Sequence, residues 1–226
     1  MSNTDSFIDE VNDEVRRDRL YGYLRRYGWI AVLAIVLIVG AAGFNEYRKA
    51  QNEAAAQALG DAMLDALNND APGDRAAALA DVRADTPESQ AVLALLQAGA
   101  FADAGDTEAA VAALEQVQNA ADAPLIYRQI ATFRALLLQS DTLDVETRRA
   151  GFDALAVPGV PFRLLAQEQL ALIDVETGDV AAALDRLRPM LDDAEASAGL
   201  QRRALQAIVA LGGTLAEDDT DAAAEN

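Results

Sequence analysis

From Trp29 to Phe44 every residue is apolar or glycine, and with Tyr27 and Asn45 the uncharged stretch reaches 19 residues. At about 1.5 Å of rise per residue this gives roughly 28 Å of helix, close to one hydrocarbon thickness. Basic residues bracket it: Arg25 and Arg26 stand before, Arg48 and Lys49 after, with Tyr21, Tyr23, Tyr27 and Tyr47 at the edges. Aromatic and basic borders around such a run predict a membrane-spanning helix over residues 29–45. A cleaved signal peptide would place its positive end within the first residues, whereas 28 mostly polar residues come first here. A buried core helix is usually shorter and lacks those borders.

Past the apolar run the period changes. Residues 45–68 contain no proline and are dominated by Ala, Gln, Glu, Leu and Met, so the helix is expected to continue through Leu59, Met63 and Leu67. Asn68-Asn69-Asp70-Ala71-Pro72-Gly73 stops it. Apolar positions then recur at helical spacing, as in Val111, Leu114, Val117 and in Ile126, Ile130, Phe133, Leu137. Helices are predicted at 73–84, 88–104, 107–119, 124–139, 144–156, 161–177, 179–193 and 198–212. No stretch alternates with period two long enough to suggest a strand. In the first 28 residues, Phe7, Val11 and Val15 make a narrow apolar stripe on one further helix.

Two joints are alike. Gly105-Asp106, with Ala110 five residues past the glycine, matches Gly178-Asp179 with Ala183. Glycine closes a helix in a left-handed conformation, Asp accepts N–H groups of the next, and a small Ala lets the two helices approach. This is the tight turn of a tetratricopeptide repeat. The two glycines lie 73 residues apart (178 − 105), about five more than two 34-residue repeats. The joint between them, Gln139–Asp144, lacks the glycine, and the extra length is assigned to Pro158–Pro161. The expected fold is therefore all-α: one N-terminal transmembrane helix followed by a tetratricopeptide-like α-solenoid of antiparallel helix pairs.

Charge adds an orientation and removes several activities. Arg16, Arg17, Arg19, Arg25 and Arg26 precede the span while only Arg48 and Lys49 closely follow it. The basic excess places the N-terminus in the cytoplasm. Residues 1–50 are neutral, so the formal net charge of −19 lies in residues 51–226. That balance argues against nucleic acid, which needs a basic face. The chain has no Cys and no His. Disulfides, thiolate chemistry, Ser-His-Asp catalysis and nearly all zinc sites are thereby excluded. No P-loop, G-x-S-x-G or S-x-x-K motif is present. A carboxylate-pair glycosidase would have to use Asp192-Asp193 or Glu217-Asp218-Asp219. Adjacent acids on a helix diverge, and the second group falls in an expected disordered acidic tail, 214–226. The expectation is no enzyme, no cofactor, no metal and no small-molecule substrate.

The stretch Phe7 to Leu20, then Leu24-Arg25-Arg26-Tyr27-Gly28 running into the apolar span, resembles the YfgM-like proteins, ancillary subunits of the bacterial SecYEG translocon. The Gly105 and Gly178 turns resemble that family's tetratricopeptide-like domain. The resemblance implies a single-pass inner-membrane protein: a cytoplasmic segment at 1–28, the span at 29–45 and a periplasmic repeat domain at 46–213. It further implies partners in the translocon, a periplasmic chaperone and exported client proteins. A cell-envelope or cell-division adaptor with the same repeat domain is the alternative. The degenerate middle joint and Pro189, inside a predicted helix, depart from the pattern.

Overall fold

The computed structural model describes residues 3–214, with side chains from residue 25 onward except at position 31. The Phe7–Val15 stripe and the side chains of Arg16, Arg17 and Arg19 lie outside the described side chains, and the acidic tail from residue 215 lies outside the described residues. Among the described residues there are ten α-helices and no strand. The chain divides into two units, Met1–Gly60 and Asp61–Asn226.

The first unit is occupied by helix α1 (Asn3–Leu67), which ends within the second. No proline interrupts α1, because the first in the chain is Pro72. From Trp29 to Asn45 every described side chain is exposed, an unusual state for sixteen apolar residues and glycines in sequence.

The second unit carries α2 (Pro72–Asp81), α3 (Pro87–Asp103), α4 (Thr107–Asn119), α5 (Leu125–Leu138), α6 (Val145–Leu155), α7 (Arg163–Glu176), α8 (Val180–Leu187), α9 (Pro189–Asp192) and α10 (Ala198–Ala210). From α2 on, each helix packs chiefly on its neighbours in sequence, as in a solenoid. Side-chain caps set the starts. Thr86 and Ser89 cap one another's backbone at α3, with Pro87 at the first helical position. Asp144 accepts from the Thr147 N–H at 2.7 Å, and Ser197 from the Leu200 N–H at 3.3 Å.

Two predicted helices end differently. Helix 73–84 stops at Asp81 because the Leu79 carbonyl is taken by the Val82 N–H and by the Gln97 side chain of α3, leaving 82–85 outside any helix. Helix 179–193 divides at Pro189, which has no N–H to continue the ladder, so the short α9 follows α8.

Three apolar clusters run along the solenoid. The first, between α3, α4 and α5, is built from alanines around the fully buried Leu114 and Val117. The second joins α5, α6 and α7 through Leu136, Phe152 and Leu170. There Phe133 meets Phe152 edge-on at 5.7 Å between ring centres and stacks on Phe162 at 5.9 Å. The third gathers Leu187, Met190, Leu200 and Ile208 from α8, α9 and α10.

The 73-residue offset extends well past the two turns. Buried Ala98, Ala110, Leu114, Val117 and Ala131 correspond to buried Ala171, Ala183, Leu187, Met190 and Ala204. The turn after each second helix corresponds as well: the Ala123 N–H reaches the Ala120 carbonyl at 3.1 Å, and the Ala196 N–H the Asp193 carbonyl at 3.0 Å. Helices α3, α4 and α5 therefore share one register with α7, α8 and α10.

Candidate functional site

Each Gly-Asp turn is built from the backbone outward. Gly105 has φ +81° and Gly178 φ +83°, a region where a Cβ is strained. The glycine N–H groups bond back to Ala102 and Val175, and the next N–H groups, of Asp106 and Asp179, to the carbonyls of Phe101 and Asp174. This double closure satisfies the carbonyls left open at the ends of α3 and α7. Asp106 then accepts from the Ala109 N–H and Asp179 from the Ala182 N–H, each at 3.0 Å. Ala110 and Ala183 are completely buried where the paired helices meet.

The middle hairpin departs at the same place. Four residues past its capping Asp144, where the others have alanine, stands Arg148, buried and paired with Glu176. A guanidinium there forbids the close approach an alanine allows. The close contact falls instead at Gly151, where a Cβ would lie 2.7 Å from Leu136.

Sequence reasoning missed the ionic groups of the second half. Asp174 is buried and receives Arg149 Nη1 at 2.6 Å and Arg186 Nε at 2.7 Å, so α6, α7 and α8 converge on one carboxylate. Arg163 reaches both Asp193 (2.8 Å) and Glu195 (2.7 Å), and Arg203 grips Glu168 with two bonds. The Arg148 hydrogen bond lowers the Glu176 pKa, the Arg163 hydrogen bond lowers that of Asp193, and the Thr147 N–H lowers that of Asp144. Nine arginines between 128 and 203, against two between 61 and 125, were the available signal. Arg186 meets Asp174 across 12 residues and the other carboxylates of these groups lie 25 to 35 residues from their arginine, beyond any local pattern. The carboxylate pair Asp192-Asp193 is split by these bonds: Asp193 is engaged by Arg163 and Asp192 is exposed. Among the described residues no group of three or more Asp or Glu is arranged to hold a metal ion.

At the open end of the α3–α4 hairpin, away from Gly105, lies a groove of about 450 Å³. Residues 82–85 form one wall, and Gln90, Leu93, Ala94, Gln97 and Gln116 the rest. At Gln90, Ala94 and Gln116 it meets a smaller pocket bounded by Ala120 and Asp122.

In the first unit, Arg25, Arg26, Arg48 and Lys49 are exposed at the two ends of the apolar stretch, with Tyr27 and Tyr47 beside them. Lys49 lies 3.8 Å from Glu53 one turn on, and Gln51 donates to the Tyr47 hydroxyl. Among the described residues α1 is the helix long and apolar enough to cross a membrane.

No curated protein and no solved structure matches the chain. The model of a tetratricopeptide repeat-like domain matches residues 22–150, which takes in the apolar stretch, the Gly105 turn and the joint of the middle hairpin, and ends within α6, before Gly178. Domains of this kind are protein-interaction scaffolds, generally without catalytic function. By a match spanning more than half its length, the chain belongs to the tetratricopeptide repeat-like domain family.

Proposed function

We propose that this protein is a membrane-tethered scaffold that binds other proteins outside the cytoplasm. The span is residues 29–45, with 1–28 cytoplasmic and 46–213 periplasmic. The observation that carries the reading is the exposed, uncharged stretch of α1 from Tyr27 to Asn45, bordered by Arg25-Arg26 and Arg48-Lys49, in a chain that carries a tetratricopeptide repeat-like domain. Exposed apolar surface of that length has no stable place in water. The basic excess before Trp29 supports the orientation. Tethering concentrates weak binding surfaces near other membrane components. The resemblance of residues 7–28 to YfgM-like proteins supports the SecYEG translocon, a periplasmic chaperone and exported clients as partners.

Because the chain has no cysteine, topology is open to a clean test. Single cysteines at Ser2 and Ser197 are to be labelled in intact bacterial spheroplasts with a membrane-impermeant maleimide. Ser197→Cys is expected to label and Ser2→Cys only after lysis; the reverse pattern sinks both orientation and translocon assignment. Copurification in mild detergent then addresses the partners. Recovery of neither translocon nor chaperone, with the translocon itself intact, moves the assignment to another envelope complex.

A further inference from the structure

The 73-residue register sets two grooves side by side for comparison. In the second module a pocket of about 270 Å³ is lined by Arg163, Leu164, Gln167, Pro189, Met190 and Asp193, among others. Its counterparts in the first module are Gln90, Ala91, Ala94, Gln116, Val117 and Ala120, all of which line the smaller pocket that adjoins the groove at the open end of α3–α4. The second pocket contains its own cation: Arg163 lies across it, bonded to Asp193 and Glu195. The first has Gln90 in place of Arg163, Ala120 in place of Asp193 and Asp122 in place of Glu195. The backbone is the same at the substituted corner, with φ −72° and ψ 121° at Asp193 against φ −74° and ψ 99° at Ala120. The first module thus keeps one carboxylate and lacks the guanidinium, and its counterpart pocket, about 110 Å³, is smaller but adjoins the groove of about 450 Å³.

Three features say what fits there. Among the described residues Asp122 has no ion-pair partner, and the Gln116 amide makes no hydrogen bond. Residues 61–125 hold twelve acidic side chains against Arg75 and Arg83, a net of −10, whereas 126–214 hold twelve acids against nine arginines, a net of −3. Beside the groove the N–H groups of Arg83, Ala84 and Asp85 and the carbonyls of Val82, Arg83 and Asp85 have no hydrogen bond among the described residues. A stretch of backbone with free donors and acceptors next to a groove can pair with an extended peptide, while the groove selects its side chains.

We propose that the groove between residues 82–85, α3 and the C-terminal end of α4 binds an extended basic segment of a partner protein, one cationic side chain taking the place that Arg163 fills in the second module. Asp122 is its carboxylate partner, Gln116 offers its amide and Gln90 its side-chain oxygen, the Gln90 amide N–H being held by the Ala84 carbonyl at 3.1 Å, and residues 82–85 pair with the peptide backbone. Arg83 is the one cation in the lining and disfavours a second positive charge next to it. This rests on the scaffold reading and adds to it the location and the chemistry of the partner.

The test uses the full chain in lipid nanodiscs and two fluorescent decapeptides, alternating Arg-Thr and alternating Glu-Thr, followed by anisotropy at 50 and 500 mM NaCl. The Arg-Thr peptide is expected to bind, at least tenfold more weakly at the higher salt, and the Glu-Thr peptide not to bind. Gln90→Arg with Ala120→Asp reproduces the second module's pair without changing net charge, and is expected to weaken binding at least tenfold. Asp122→Asn, which breaks no internal bond, is expected to weaken it three- to fivefold, and Arg83→Gln to tighten it. Asp153→Asn with Asp192→Asn, two exposed carboxylates elsewhere, is the control and is expected to change nothing. Equal weakening by control and groove variants would reduce the effect to diffuse charge and overturn the proposal. Unaltered binding by both the paired variant and Asp122→Asn would do the same. Partner recovery by full chains carrying the groove changes leaves the scaffold reading in place and removes only this site.

Discussion

The α3–α4 and α7–α8 hairpins turn in the same way and are held in different ways. Their glycines differ by 2° in φ, and their Asp caps bond at the same 3.0 Å. At the α3 carbonyl that accepts from the Asp106 N–H stands Phe101; 73 residues on stands Asp174. Around Asp174 are Arg149 and Arg186, whose counterparts are the buried Ala76 and Ala113. An apolar set in one module is an ionic set in the other, on the same backbone. The turn geometry therefore belongs to glycine, aspartate and alanine alone, and whatever lies beneath need only be internally satisfied.

The largest effect is expected where the modules differ most. Asp174→Leu leaves two guanidinium groups without their shared carboxylate and is expected to cost about 2–3 kcal/mol, the lower part of the range for broken buried pairs because both arginines are about one-third exposed. Replacing the trio together, Arg149→Ala, Asp174→Phe and Arg186→Ala, transplants the first module's solution and is expected to restore at least half of that loss. Chemical denaturation of the full chain in mild detergent checks both. A triple variant less stable than the single one would show that the two modules are not interchangeable.

Where the modules agree, effects should agree. Ala110→Leu and Ala183→Leu each force a side chain into a completely buried position and are expected to cost about 1–3 kcal/mol. Gly105→Val and Gly178→Val should cost about 1–2 kcal/mol each, and nearly the same amount. At neither glycine does a Cβ meet any atom within 4 Å, so the penalty is one of backbone conformation alone. Thermal melts of the four variants decide this, and a large inequality between the two glycines would mean that the ionic hub also constrains the turn.

What could be read from the residues follows the same division. Helices, turns and the long apolar helix were legible because each rests on local chemistry: the uncharged run before Asn45, the Gly-Asp pairs, the Asn68–Gly73 stop. The early end of α2 was not, because it depends on Gln97 reaching the Leu79 carbonyl from another helix. Nor was the ionic hub, since a buried Asp in a helical pattern looks like any solvated one until α6 and α8 bring arginines to it. The groove at 82–85 was hidden for a related reason: its meaning comes from the Arg163 pocket, and the correspondence between the two emerges only once burial fixes the 73-residue register beyond the turns.

Acid should separate the modules by sign. Glu176 and Asp193 lie below their ordinary values of 4.5 and 3.8 because Arg148 and Arg163 hydrogen-bond their charged forms, and Asp144 lies below 3.8 because it caps Thr147. A carboxylate whose folded pKa is depressed stabilises the fold above its unfolded value, and that stability is lost as pH falls through the folded one. All three groups belong to residues 144–193, so this half is expected to loosen progressively below about pH 4.5. Residues 61–125 have the opposite tendency: with a net of −10 and a single ion pair, Arg75 with Asp103 at 3.8 Å, protonation chiefly relieves repulsion. Hydrogen exchange from pH 6 to 3, corrected for intrinsic rates, is expected to show protection falling in α6, α7 and α8 while α3 and α4 hold or gain. Arg148→Gln and Arg163→Gln should flatten the fall in the second half, because Glu176 loses the group that lowers its pKa and Asp193 keeps only the lowering by the Glu195 N–H. Uniform loss of protection along the whole solenoid would show that its two halves unfold as one unit, whatever their different chemistry.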